Sequence, residues 1–418
     1  MEIALEWVNE GSRTLKEIEI VLREAAIDKE EEEESRLLAK YHLATIYLQT
    51  NRREEGLELA RELGFRYVIK SDIWNVLSKT RSGDSYVGAA DEVLSKSRFE
   101  SLFKVFAPKS SFWTEHNYPT PSFFSYYISL GDKKQNLLLE IMRDYVIPIV
   151  SETFPKAKDC VGFEFWAHKR LNGSGHQMHY DTDEILQRTG RVSHPVVSCV
   201  LCLEEGHGGC TLVTTHRLEE GEDKIEKTSG FLLRPKTNRL NYFSGDLLHG
   251  VVPVVKETSS KKQRGAKRSR ISVVKERITL MIGLWLETPK SYVEAKRRKN
   301  DRLVVPCMEL PQRHRWITLL RHFPERNKKE KKHYRRLNRF EYVSKLWQKL
   351  LKSSVNPLAR NMFSVGGFFV FDLKDLDRAL LGVRGVLDED EEEEEEEEQE
   401  EEWGSVADIL RMQQQQKQ

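Results

Sequence analysis

Cysteine is scarce in this 418-residue chain: five residues, an odd number, at Cys160, Cys199, Cys202, Cys210 and Cys307. So sparse a set does not make the disulfide framework of a small secreted protein, and buried free thiols in a reducing compartment are expected. Cys199 and Cys202 form a CxxC inside the apolar run VVSCVLCL. On a strand, residues three apart point to opposite faces, which places the pair badly for sharing a metal. Long apolar runs are lacking too: none approaches the roughly 18 residues of a membrane span, so no membrane association is expected. The N-terminus (MEIALEWVNE) carries acids where a signal peptide carries positive charge, and a cytoplasmic or nuclear location is expected. No glycine-rich phosphate loop follows a strand-like segment, which excludes Rossmann and P-loop enzymes.

What is present is unevenly distributed. The net charge is +1, but residues 388–402 hold 14 acidic side chains and no basic one, so the rest of the chain carries +15. A hydrophobic content of 39% with 8 Trp and 18 Phe excludes a wholly disordered chain. Residues 1–80 read as helical: Leu37, Tyr41, Ala44 and Leu48 make one stripe, a polar turn at 50–53 follows, and Gly64 is the expected C-cap of the next helix. From about 100 to 290 the pattern changes to short strand-like segments: 161–168, 196–203, 210–215, 230–235, 238–243 and 277–285. Residues 204–209 (EEGHGG) read as a hairpin loop, and 136–150 as an amphipathic helix. Closely spaced strands flanked by helices predict an α+β protein with a barrel or jelly-roll core. The expected organisation is a helical N-terminal region (1–95), the β core with its flanking helices (96–295), a basic mixed extension (296–387) and a disordered acidic, Gln-rich tail (388–418).

The chemically informative segment is GSGHQMHYDTDE, 173–184. His179 and Asp181 are two apart, so a strand would put both on one face and supply two of the three ligands of a facial triad, the arrangement of non-haem Fe(II) oxygenases. About one His-x-Asp is expected by chance in a chain of this composition, so that pair alone decides nothing. The residues C-terminal to it matter more. His249 lies in an apolar run after a Gly245-Asp246 turn, and Arg277 and Thr279 open the segment RITLMIGLW. The last two share a face, a guanidinium beside a hydroxyl, which suits a carboxylate at the bottom of a pocket.

On these residues the chain resembles the 2-oxoglutarate- and Fe(II)-dependent dioxygenases, whose pattern is His-x-Asp, a later His, then Arg-x-Ser/Thr. The resemblance covers roughly 140–290. HYDTDE, GGCTLV (208–213) and FSGDLLHGVVP look like the prolyl-4-hydroxylase-like branch, although that branch commonly carries Lys where Arg277 stands. Arg277 also follows His249 by 28 residues, a wider gap than is usual, filled by the basic stretch 256–272. The resemblance implies a double-stranded β-helix, with His179, Asp181 and His249 as catalytic metal ligands. It further implies 2-oxoglutarate bound by Arg277 and Thr279, O2 as co-substrate, ascorbate as accessory reductant, and hydroxylation of a C–H bond with release of succinate and CO2.

The remaining histidines and the charge clusters are read more plainly. His176 is a loop or supporting residue, His207 and His216 are expected to be exposed, and Asp183 and Glu184 to satisfy backbone donors. His168 and His194 show no pattern. Residues 256–270 hold seven Lys/Arg against one Glu, and 321–336 eight against two. Such stretches suit an acidic partner or nucleic acid. A protein side chain is the first-choice substrate. A nucleic-acid demethylase of the same superfamily and a non-catalytic metal-binding module are the alternatives.

Overall fold

A computed structural model describes residues 15–48, 52–69, 80–115, 125–170, 176–205, 209–252, 277–297, 307–324, 333–350, 365–366 and 369–370, apart from short breaks inside these spans. The basic stretch 256–270, residues 325–332 of the second basic stretch, the cap at Gly64, the whole tail 388–418, His207 and Glu184 lie outside the described residues.

Three helices come first: α1 (Leu15–Ile27), α2 (Glu33–Leu48) and α3 (Arg53–Glu62). α2 packs on α3 through the expected stripe, with Leu37 and Ala44 buried against Leu57, Ala60 and Val68, while α1 packs on another face of α2 through Ala39, Leu43 and Tyr47. Helix does not continue to residue 80. β1 (Tyr67–Ile69), β2 (Thr80–Ser82) and β3 (Val87–Asp91) all fall in the stretch expected to be helical. In β3, VGAAD, every residue is buried, so no polar–apolar alternation announces the strand.

Next come α4 (Lys96–Phe106), α5 (Ser111–Glu115) and β4 (Tyr126–Ser129). The expected helix at 136–150 is three pieces: α6 (Leu137–Ile141), a π-helical turn (Met142–Val146) and α7 (Ile147–Val150). Asn136 caps it, its side chain accepting from the amide of Leu138 at 2.9 Å. The core strands are β5 (Gly162–Arg170), β6 (His176–His179), β7 (Val197–Glu204), β8 (Thr211–Arg217), β9 (Gly230–Leu233), β10 (Arg239–Ser244), β11 (Leu247–Val251) and β12 (Arg277–Trp285). α8 (Lys290–Arg297), α9 (Arg315–Arg321), β13 (Arg335–Leu337), β14 (Arg339–Val343), β15 (Trp347–Lys349), β16 (Val365–Gly366) and β17 (Phe369–Val370) complete the described chain.

Two antiparallel sheets carry the architecture. One has the order β13-β3-β10-β7-β12-β5-β4, the other β2-β14-β9-β8-β11-β6. From β5 to β12 the chain alternates between them, except that β8 and β9 are neighbours in the second sheet. The segment 204–209 is therefore not a hairpin loop: β7 and β8 belong to different sheets, and the chain crosses from one to the other there. Its glycines permit a sharp change of direction equally in either arrangement.

One face of the first sheet is covered by α4 to α7 and α9. Ile278, Leu280, Ile282 and Leu284 of β12 pack there with Leu102, Phe106, Leu138 and Trp316. Arg98, fully buried on α4, donates to Glu140 Oε1 at 2.6 Å and to the carbonyl of Pro324 at 2.7 Å, tying two of these helices together. At the sheet's far edge the buried Asp91 carboxylate takes Lys236, Arg239 and Arg335 within 2.9 Å each, which holds β13 to β3. The opposite face of the first sheet looks into the space between the sheets, where Val213, Phe231, Phe243 and Leu247 pack together.

Candidate metal centre

β6 and β11 are antiparallel neighbours, and His179 and His249 are direct partners across them. Their ring centroids are 4.3 Å apart. β11 is irregular on both sides of His249, with register shifts against β8 between Leu247 and His249 and against β6 between His249 and Val251. Bulges of this kind re-aim side chains at sites. Here Phe243 packs against the His249 ring, tilted by 54° with centroids 4.6 Å apart, and His249 Nδ1 donates to the carbonyl of Leu247 at 2.9 Å. That bond fixes the proton on Nδ1 and leaves the Nε2 lone pair for a metal.

Asp181 completes the group from a different kind of backbone. β6 ends at His179, so Asp181 lies in the irregular segment beyond it rather than on the shared strand face that the spacing suggested. Its Oδ1 is 3.7 Å from His179 Nε2, and its Oδ2 is 3.7 Å from His249 Nε2. One ligand atom from each of the three residues lies within 4.8 Å of the others. Two imidazoles and one carboxylate on one side of a site suit Fe(II) or a similar divalent ion and leave further coordination positions open.

Arg277 and Thr279 both sit on the inward face of β12 and both are buried, at 4% exposure each. Arg277 Nη1 donates to the carbonyl of Gly209 at 2.6 Å, while its Nε is buried with no partner. No carboxylate pairs with it among the described residues. Its neighbours are the buried thiols of Cys202 and Cys210, and burial pushes the guanidinium's pKa down. A buried cation lacking a counter-ion is costly, and a carboxylate ligand would remove that cost. The donor set thus fits a divalent metal, and a guanidinium with no carboxylate among the described residues fits a small anion beside it. Thr279 faces Cys202 of β7 and His168 of β5 in the sheet register.

Other residues fall differently from their sequence reading. His216 is fully buried rather than exposed, because it lies on β8 with Nδ1 2.6 Å from the hydroxyl of Tyr180. Asp183 does satisfy backbone donors: it accepts from the amides of Ile185 and Leu186, and from the amides of Lys290 and Ser291 at the start of α8. All five cysteines are buried free thiols, with Cys199 in the helix-covered core and Cys202 on the other face. Ser198 and His194, which the sequence did not mark, both hydrogen-bond Asp181. Neither belongs to a motif around the ligands, and no spacing rule would have found them.

No family model matches this chain, and no curated protein matches it. Among solved structures, a prolyl-4-hydroxylase from Pseudomonas putida aligns over 52% of this chain and 93% of its own, at 14% identity and a TM-score of 0.29. A truncated viral collagen prolyl hydroxylase from Paramecium bursaria Chlorella virus-1 covers 49% and 93%, at 13% identity and 0.28. HygX from Streptomyces hygroscopicus, solved with nickel and 2-oxoglutarate bound, covers 52% and 86%, at 11% identity and 0.28. At TM-scores this low the overlays carry no weight. The side chains of the site do.

Proposed function

We propose that this chain is an Fe(II)- and 2-oxoglutarate-dependent dioxygenase built on a double-stranded β-helix, hydroxylating a C–H bond of a protein side chain. The alternation of β5 to β12 between two antiparallel sheets supports the fold reading. The observation that carries the function is the pairing, inside one barrel, of a His-Asp-His cluster with a buried arginine that has no counter-ion among the described residues.

His179, Asp181 and His249 would hold the metal, and Arg277 the distal carboxylate of 2-oxoglutarate, with Thr279 hydrogen-bonding beside it. Bound iron with 2-oxoglutarate and O2 supplies the oxidising power, releasing succinate and CO2. The chain's own contribution is placement. The bond to Leu247 keeps the His249 Nε2 lone pair available. Phe243 packs against the His249 ring, and with Val213 it belongs to the apolar cluster between the sheets that limits the room for that ring to turn. Arg277 confers selectivity for a dianion of the right length, because a shorter acid bound at the metal would leave its guanidinium unpaired.

Arg277, with no counter-ion among the described residues, would be paired by the distal carboxylate of a bound co-substrate, which favours the enzyme. A nucleic-acid substrate is less well supported, since Arg335 and Arg336 of the second basic stretch pair internally with Asp91 and Glu152. The test has two parts. Fe(II) and 2-oxoglutarate added anaerobically should give a visible charge-transfer band. With O2, the protein should release succinate in the presence of peptide pools and not of RNA, with Asp181→Ala as the blank. A wild type that shows neither band nor succinate refutes the reading.

A further inference from the structure

Asp181 has no strand to hold it, yet it is held at both its carboxylate and its backbone carbonyl. Three contacts reach the segment 181–183 from one short stretch, 193–198, that leads into β7 of the opposite sheet. Ser198 Oγ donates to Asp181 Oδ2 at 2.5 Å. His194 Nδ1 donates to the carbonyl of Asp181 at 2.7 Å. The amide of Asp183 donates to the carbonyl of Ser193 at 2.9 Å.

The stretch that makes these contacts is itself wedged in place. A Cβ on Gly245 would come within 2.1 Å of the Pro195 carbonyl oxygen, and one on Gly283 within 3.3 Å of Pro195 Cβ. Pro195 thus fills the space that two glycines leave open, one just before β11 and one on β12. Ser198 pairs with Gly283 on one side and with Phe243 on the other. The next residue on that face of β7 is Val200, which packs among apolar side chains. A hydroxyl buried at such a position is unfavourable unless it is hydrogen-bonded, and the Asp181 carboxylate is its acceptor.

We infer that Ser198 is a positioning residue for the metal centre, holding Asp181 by Oδ2 so that Oδ1 is the oxygen presented to the metal. The inference rests on the proposed function only in requiring that the site bind a divalent ion. A carboxylate can turn about its Cβ–Cγ bond and offer either oxygen, or both. A short O–H···O⁻ bond takes one lone pair of Oδ2, weakens that oxygen as a metal donor and stops the rotation. Both oxygens lie 3.7 Å from an imidazole, Oδ1 from His179 Nε2 and Oδ2 from His249 Nε2, but only Oδ1 keeps both lone pairs, since Oδ2 shares one with Ser198. Because Ser198 stands on the opposite sheet, the bond also ties the metal loop to the strand beside Thr279 and Arg277, setting one end of the site relative to the other.

The test uses Co(II), whose d–d absorption reports ligand geometry, on the full-length metal-free protein. Ser198→Ala should weaken Co(II) binding about 10- to 100-fold, as loss of a partner behind a metal ligand typically does. It should also shift the d–d bands, while Ser198→Thr, which keeps the hydroxyl, should restore both. Melting of the metal-free proteins checks folding. If Ser198→Ala does not fold, Ser198→Cys, with a weaker donor of similar size, is read in the same way. Unchanged affinity and spectrum in a folded Ser198→Ala or Ser198→Cys protein would overturn the inference and leave the proposed function standing. A wild type that binds no Co(II) would overturn the metal site itself.

Discussion

His179 and His249 face one another as direct partners across two antiparallel strands, 70 residues apart in the chain and with ring centroids 4.3 Å apart. Neither ring could hold this position alone. The ladder between β6 and β11 sets the backbone, and the irregularities on either side of His249 set the aim. Asp181 then closes the group from beyond the strand end, with its two oxygens each 3.7 Å from one of the imidazoles.

A metal that binds the folded protein and not the unfolded chain must raise its stability. At a free concentration a hundredfold above Kd the gain is about 2.7 kcal/mol. Co(II) or Ni(II) should therefore raise Tm by several degrees, and EDTA should reverse the shift. In His179→Ala and His249→Ala the shift should vanish. A wild-type Tm indifferent to metal would contradict the site.

Removing the buried guanidinium should be read at the co-substrate. A hydrogen bond to a charged group contributes roughly 1.5–3 kcal/mol, so Arg277→Ala should weaken 2-oxoglutarate binding about 10- to 150-fold. Arg277→Lys keeps the charge and should recover part of the loss. Titration of the Co(II)-loaded protein measures this directly, and equal affinities in wild type and Arg277→Ala would show that the carboxylate binds elsewhere.

Asp183 links the loop that carries Asp181 to α8. Its carboxylate accepts from the amides of Ile185 at 3.1 Å and Ser291 at 3.2 Å, and from the hydroxyl of Ser291 at 2.6 Å. Asp183→Ala strands several of these donors, and a lost cap with buried unsatisfied groups costs about 2–3 kcal/mol. Denaturant unfolding should show a loss of that size, whereas a change below about 0.5 kcal/mol, the usual range for exposed surface sites, would show the cap to be dispensable.

Burial pushes the Glu164 carboxyl up to about 7, against a hydrogen bond from Ser125 that favours the ionised form. The folded protein therefore holds this proton more tightly than the unfolded chain. Its contribution is fully present below the ordinary carboxylate range and is lost as pH rises from about 4.3 toward 7. Glu164→Gln cannot ionise, so it should flatten this part of the pH–stability curve and raise Tm at pH 8 relative to wild type. Parallel curves for the two proteins would refute the assignment.

Arg98 is fully buried on α4, and Glu140 is its carboxylate partner. Glu140→Ala leaves the charge uncompensated and should cost about 3–5 kcal/mol. Arg98→Met with Glu140→Ala should recover much of that, because the double change removes both charges. A single variant as stable as wild type would show that the Pro324 carbonyl alone suffices for Arg98.

The chain by itself was enough to single out the candidate donor residues and their order, because donor chemistry is a property of side chains: His179, Asp181, His249 and Arg277 stand out by what they are and by what surrounds them. It also marked the strands whose apolar runs are strong, and β12 spans Arg277–Trp285, the very segment expected. It could not mark β3, whose small buried residues show no period. Nor could it tell a hairpin at 204–209 from a crossing between sheets, since glycine permits both. The partner of a strand is chosen by long-range pairing, and only that pairing put β7 beside β12 and β10. The tertiary structure alone therefore decided that His216 is buried on Tyr180, that Arg277 lacks a counter-ion among the described residues, and that Asp181 is held by Ser198 and His194. Each depends on which distant segments meet in space, and no local period encodes that.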